Sequence, residues 1–161
     1  MRLLARSFPL AALTLASASF GQGLITQRSL SNDAAVKIAQ GVLEKCNSQG
    51  YKISLSILDA SGAVKLQVRG DGTGPHTLEH SRRKAYTALT FKRTSAETAD
   101  AWVKRGGAAP VIEGTVGAAG GVPIRAGEEV IGAAGVSGAP GGEKDEACAN
   151  FGISKIAEIL K

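Results

Sequence analysis

Ala35, Ile38, Ala39, Val42, Leu43 and Cys46 fall at i, i+3, i+4, i+7, i+8 and i+11. That spacing lines one face of an α-helix. Ser31 stands where an N-cap belongs, Asp33 lies in the first turn, and Gly50 supplies a stop. From Tyr51 the period changes to two. Ile53, Leu55 and Ile57 alternate with Ser54 and Ser56, and Val64, Leu66 and Val68 alternate with Lys65, Gln67 and Arg69. Between the two runs lies Asp59-Ala60-Ser61-Gly62, so the pattern predicts a β-hairpin with one apolar face.

Beyond the loop Gly70–His76, Thr77 is placed to cap a helix reaching about Thr90. Leu78, Arg82, Ala85 and Leu89 share one of its sides; His80 and Lys84 share another. Ser95 is placed to cap a further helix that ends at Gly106 and Gly107. The glycine- and alanine-rich stretch that follows contains a short candidate strand, "PVIEGTVG", and two clearer ones, "VPIR" and "EEVIGAAGV", about Ala126-Gly127. A final helix is expected from Lys144 to Leu160, with Ala149, Ile153, Ile156, Ala157 and Leu160 as its stripe and Cys148 near its edge. The order α-β-β-α-α-β-β-β-α does not alternate as a parallel sheet requires. It predicts an antiparallel sheet of five strands covered by helices, an α+β fold.

The first eighteen residues stand apart from this pattern. Arg2 and Arg6 precede a short apolar run, Phe8 to Leu15, and then the small-x-small Ala16-Ser17-Ala18. This is the layout of a secretory signal peptide cleaved after Ala18, and the run is too short to span a bilayer. The expected organisation is a leader over 1–18, an extension over 19–29 and one domain over 30–161. The expected location is periplasmic or secreted. Loss of Arg2 and Arg6 lowers the formal charge from +5 to +3. Basic and aromatic residues are not interleaved, so nucleic-acid binding is excluded as an expectation, and nothing after the leader resembles a membrane span. Cys46 and Cys148 are the two cysteines. In an oxidising compartment they are either a disulfide or two small buried residues that never meet.

The stretch "GVSGAPGGEKDEACA" invites a phosphate-cradle reading, which its chemistry opposes. Lys144 lies between Glu143 and Asp145 instead of after a glycine and before Ser or Thr. The strand order provides no βαβ unit, and Glu143, Asp145 and Glu146 would repel a phosphate at the helix mouth. No Gly-x-Ser-x-Gly elbow is present. His76 and His80 are the only histidines. Their spacing suits two metal ligands on one helix, but His76 precedes the expected cap. A zinc site would need further ligands from afar, such as Asp145 or Cys148.

Three stretches carry a family resemblance: "SILDASG", "VRGDGTGPHTLEHSRRKAYTALTF" and "GGVPIRAGEEVIGAAGVSGAPGGEKDEACA". Taken in order from about Leu30 to the C-terminus, they resemble the GlcG/HbpS-like family of haem-degrading or haem-binding domains, which includes the C-terminal domain of PduO proteins. The region from Trp102 to Gly117 matches least. The resemblance implies a profilin-like α/β/α sandwich around a five-stranded antiparallel sheet, assembled as a homo-oligomer. It implies an exported small-ligand-binding protein, with haem as the possible cofactor. The alternatives are an enzyme acting on a small 2-oxo or 2-hydroxy acid, and an oligomeric accessory protein without catalysis. Residues matching the family's cleft are His76, Lys84, Gly120, Gly121, Pro123, Asp145 and Glu146. In a haem reading His76 meets the iron, in preference to His80, and Arg69 or Lys84 meets the propionates. In an enzyme reading His76 or Asp145 is the acid/base and Lys84 anchors a carboxylate. The bland reading makes Lys84 and Asp145 an ion pair locking two helices. The first and last helices of such folds pack side by side, which implies a Cys46–Cys148 disulfide. No Cys-Pro pair or Cys-x-x-Cys-His site marks haem specifically.

Overall fold

The computed structural model describes residues 23–107 and 112–161. The expected leader, the first residues of the extension, and Pro110 and Val111 lie outside the described residues. The elements in chain order are α1 (Asn32–Ser48), β1 (Ser54–Asp59), β2 (Val64–Arg69), α2 (Thr77–Phe91), α3 (Ser95–Lys104), β3 (Gly121–Ala126), β4 (Glu129–Ser137) and α4 (Gly142–Ser154), followed by a 3₁₀ turn at Ala157–Ile159.

The sheet is antiparallel in the order β2-β1-β4-β3. It has four strands among the described residues, not the five expected. Ile112–Gly117 forms no strand because its backbone finds a side-chain partner. The Thr87 hydroxyl accepts from Val116 N–H at 2.8 Å and also lies 3.2 Å from the Val116 carbonyl. The long β4 pairs on both sides, Val136 with Leu55 of β1 and Ala134 with Val122 of β3.

Alternation along β1 and β4 divides the sheet into two chemically different faces. Leu55, Ile57, Val122, Ile124, Ala134 and Val136 join Ile38 and Val42 of α1 and Ala149 of α4 in the main core. Burial of such apolar surface contributes about 25 cal/mol per Å² and drives this layer together. Helices α1 and α4 cross closely: a Cβ on Gly152 would stand 2.6 Å from the Ile38 carbonyl oxygen. Cys46 and Cys148 are disulfide-bonded across this contact, with 5.7 Å between their Cα atoms.

The opposite face holds Ser54, Ser56 and Gly135, and α2 covers it. Both serines are fully buried there. The cost of burying their hydroxyls is offset by bonds to the helix: Ser54 to Thr77 at 2.8 Å and Ser56 to Ser81 at 2.7 Å. The helix axis comes so close that a Cβ on Gly121 would collide with the Lys84 carbonyl, and one on Gly135 with the Ser81 carbonyl. The buried face of α2 is therefore Thr77, Ser81, Lys84, Ala85, Thr87 and Ala88, which takes Ala85 from one side read in the sequence and Lys84 from the other. A face of small and hydrogen-bonded residues leaves no apolar stripe in the sequence.

Three helix ends also differ from expectation. Ser31 caps α1 as predicted, accepting from Ala34 N–H at 3.2 Å. The cap of α3 is Thr94, reciprocated by Glu97, while the Ser95 hydroxyl instead accepts from Gly121 N–H at 2.8 Å. Thr77 is the first residue of α2, and its hydroxyl donates to the Gly74 carbonyl. The last helix stops at Ser154 because the chain tightens into the 3₁₀ turn, which leaves Ala157 exposed and Ile156 buried.

Candidate functional site

The N-terminal end of α2, the β4–α4 loop and the segment before β3 surround a cleft of about 660 Å³. That volume lies within the range of small-ligand and cofactor sites, roughly 300–1,000 Å³. His76, His80 and Lys84 come from α2 and its cap, Glu143 and Asp145 from the first turn of α4, and Lys52 from the approach to β1. Alanines 118, 119 and 139 and several glycines supply the walls.

At the floor Lys84 donates to Asp145 Oδ2 at 2.8 Å and to the Val136 carbonyl at 3.0 Å. Both side chains are only 4% exposed. Asp145 also accepts from Ala139 N–H at 3.0 Å, so one carboxylate ties α2 to the loop that opens α4. Burial pushes the Asp145 carboxyl above the ordinary aspartate value, while Lys84 and the Ala139 and Gly138 amides pull it down. Gly120 fits this knot because a Cβ there would lie 2.7 Å from Val136 O, 2.8 Å from Asp145 Cβ and 3.0 Å from Lys84 Nζ. Its φ of +121° is open to glycine alone.

The histidines occupy the mouth. His76 has helical φ/ψ and receives the His80 N–H at 2.9 Å, so it continues the turn of α2 despite its cap position. The rings stand edge to face with centroids 6.2 Å apart. Burial, then the Lys84 ammonium and His76, holds the His80 imidazole below the ordinary histidine value, so it is neutral at pH 7.

The cleft thus gathers His76, Lys84 and Asp145 from the sequence-predicted set, with Gly120 packed against the pair. Gly121 and Pro123 lie on β3 under α2 and do not line the cleft. Glu146 points to a smaller cavity between α3 and α4, beside Ala96 and Asn150. Its Oε2 is buried without a hydrogen-bond partner among the described residues. Burial raises its carboxyl above the ordinary glutamate value; the Gly120 amide opposes this and Glu97 adds to it. Arg69 lies at another depression, with Tyr51 and Asp71. Lys52 was not legible as a site residue, since a lysine between a helix stop and a strand carries no signal. It reaches the cleft only because β1 lies next to β4.

The molecule is an α+β domain with helices on both faces of an antiparallel sheet and a polar cleft between the starts of α2 and α4. The sequence matches the family described as "Haem degrading protein HbpS-like" over residues 30–154. The chain belongs to that family. A Citrobacter freundii protein described as an uncharacterized 15.0 kDa protein of the dhaT-dhaS intergenic region is 31% identical over 131 residues, covering 78% of this chain and 91% of its own. The crystal structure of a double mutant of Streptomyces reticuli HbpS superposes with a TM-score of 0.79 at 32% identity, covering 91% of this chain and 97% of that one. A structure of a PduOC:heme complex superposes with a TM-score of 0.72 at 25% identity, covering 80% and 95%.

Proposed function

We propose that this is an exported binding protein that takes haem, or a closely similar tetrapyrrole, into the cleft between α2 and α4. The observation that carries the reading is the pair of imidazoles, His76 and His80, at the mouth of a cavity of about 660 Å³. Membership of the HbpS-like family and the likeness to a protein solved with heme support the same ligand class.

The residues present fit such a group. An imidazole nitrogen would ligate its iron, and burial favours the neutral, ligating form of His80. His76 is the more exposed ring and faces the same space. Lys84 is committed to Asp145 and Val136, which leaves Lys52 as the cleft's cation for a propionate. Bound haem would supply a redox-active iron; the protein supplies the imidazole, the cation and small-residue walls.

The leader pattern supports export, and the buried Cys46–Cys148 bond is compatible with an oxidising compartment. A homo-oligomer is part of the proposal.

The test is titration of the purified mature protein with hemin, read at the Soret band, beside His76→Ala and His80→Ala. Saturable binding at micromolar hemin, weakened in at least one histidine variant, is expected. Absence of a saturable shift overturns haem binding. A shift that survives both substitutions overturns histidine ligation. Turnover of a 2-oxo or 2-hydroxy acid without hemin binding would assign the cleft to acid chemistry instead.

A further inference from the structure

We propose that, when no haem is bound, His76 and His80 together form a site for a divalent first-row transition metal ion, with Cu²⁺ as its tightest occupant. The inference rests on where the fold puts two side chains that sequence pattern had placed on either side of a helix boundary.

His76 has φ −77° and ψ −21°, and its carbonyl accepts the His80 N–H at 2.9 Å. The two residues therefore stand one above the other on a single helical turn, as i and i+4 positions do. Both rings line the cleft, with centroids 6.2 Å apart. Neither ring is engaged in a side-chain hydrogen bond among the described residues. With the ring centroids 6.2 Å apart, one ion between them can meet a nitrogen of each ring.

Local packing favours His76 in this place. A Cβ on Gly74 would stand 2.9 Å from His76 Cε1 and 3.1 Å from Nδ1. Glycine at 74 lets the ring lie down against the loop on the cleft side. An alanine would push it away.

The fold also decides what kind of site this is. Cys148 is bonded to Cys46, and Asp145 is held by Lys84 and Ala139. Neither can complete a tetrahedral zinc site. Among the described residues no group of three His, Cys, Asp or Glu is placed to hold an ion. The protein thus offers two imidazoles and leaves the remaining positions open to water or a small oxygen ligand. A site that cannot close its own shell is not a structural zinc site. Imidazole suits copper, nickel and zinc, and affinity among them peaks at Cu²⁺.

The experiment uses the full mature protein, freed of metal by a chelator and kept without hemin. Cu²⁺ and Zn²⁺ are titrated calorimetrically, and the Cu²⁺ form is examined by electron paramagnetic resonance. One equivalent of Cu²⁺ with hyperfine structure from two nitrogens is expected, with weaker Zn²⁺ binding. His76→Ala and His80→Ala should each weaken Cu²⁺ about tenfold or more, equivalent to about 1.4 kcal/mol or more. The double variant supplies the background from the chain terminus and surface. Gly74→Ala should weaken Cu²⁺ while both imidazoles remain. Unchanged thermal unfolding of the single variants checks that the fold is intact. Affinity and spectrum retained in the double variant, or no stoichiometric binding in the wild type, overturn the proposal. Because no hemin is present, this outcome is separate from the hemin titration.

Discussion

Lys84 and Asp145, 61 residues apart in the chain, meet in a hydrogen-bonded ion pair of 2.8 Å sealed between α2 and α4. Breaking it from one side strands a buried charge. Asp145→Leu and Lys84→Met are each expected to cost about 3–5 kcal/mol in urea unfolding. The double replacement Lys84→Met with Asp145→Leu should cost less than the two single effects added, since neither charge is then left behind. Additive losses would show that the two side chains are not coupled.

The Cys46–Cys148 bond closes a loop with a sequence separation of 102 residues. Replacing both cysteines by serine should lower stability by about 2–5 kcal/mol. Intact mass before and after reduction under denaturing conditions, with alkylation, reads the bond directly. Alkylation of both thiols without prior reduction would remove it.

Glycines 121 and 127 should respond differently to alanine. A Cβ at Gly121 collides with the backbone of α2, whereas at Gly127 it meets nothing within 4 Å. Gly127→Ala pays only for its φ of +62°, about 1 kcal/mol. Gly121→Ala should prevent α2 from seating and abolish cooperative unfolding or soluble expression. Comparable melting temperatures for the two variants would contradict the close approach.

Two glutamates give opposite pH signatures. The Arg82 guanidinium, helped by Arg83 and opposed by partial burial, lowers the Glu79 carboxyl from 4.5 to about 2. Its stabilisation is present above pH 4.5 and is lost as pH falls toward 2. Solvent screening of this half-exposed cluster limits the effect to roughly 0.2–1 kcal/mol. Glu79→Gln should flatten that acid limb. Glu146 is raised by burial, so the folded state holds its proton more tightly and stability declines as pH rises from 4.5 through its folded value. Glu146→Gln should therefore gain stability relative to wild type at pH 7 but not at pH 3. Stability curves against pH for both variants check the two signs.

Hemin affinity should fall on acidification through the histidine range. His80 is neutral at pH 7 because it is partly buried beside Lys84, and protonation removes its iron-ligating lone pair. Titrations at pH 7.5 and 5.5 should show weaker binding at the lower pH, and His80→Ala should reduce that difference. An unchanged pH dependence in His80→Ala would assign it to another group.

The α1 stripe, the β1–β2 hairpin and the Ser31 cap were legible because each rests on a period or a cap that neighbouring residues write locally. The face of α2 was not. Thr77, Ser81 and Lys84 are polar in any pattern, and it is Ser54, Ser56 and Asp145 that turn them inward. The same holds at the site. His76, Lys84 and Asp145 converge, but Glu146, one residue further along α4, points to the α3 side because a helix turns about 100° per residue. Arg69 sits at the end of the edge strand β2, away from the cleft.

The glycine-rich stretch before α4 shows the division most clearly. Sequence alone argued against a phosphate cradle there, since three carboxylates surround one lysine at the helix mouth. It also determined the two layers that apolar periodicity can encode, and the two cysteines available for pairing. Tertiary structure decided which groups meet. Asp145 turns from a helix-mouth acid into the anchor of Lys84, Gly120 becomes the one residue that fits beside them, and Cys148 finds Cys46. These are contacts between distant residues held by packing and hydrogen bonds, and no local period records them.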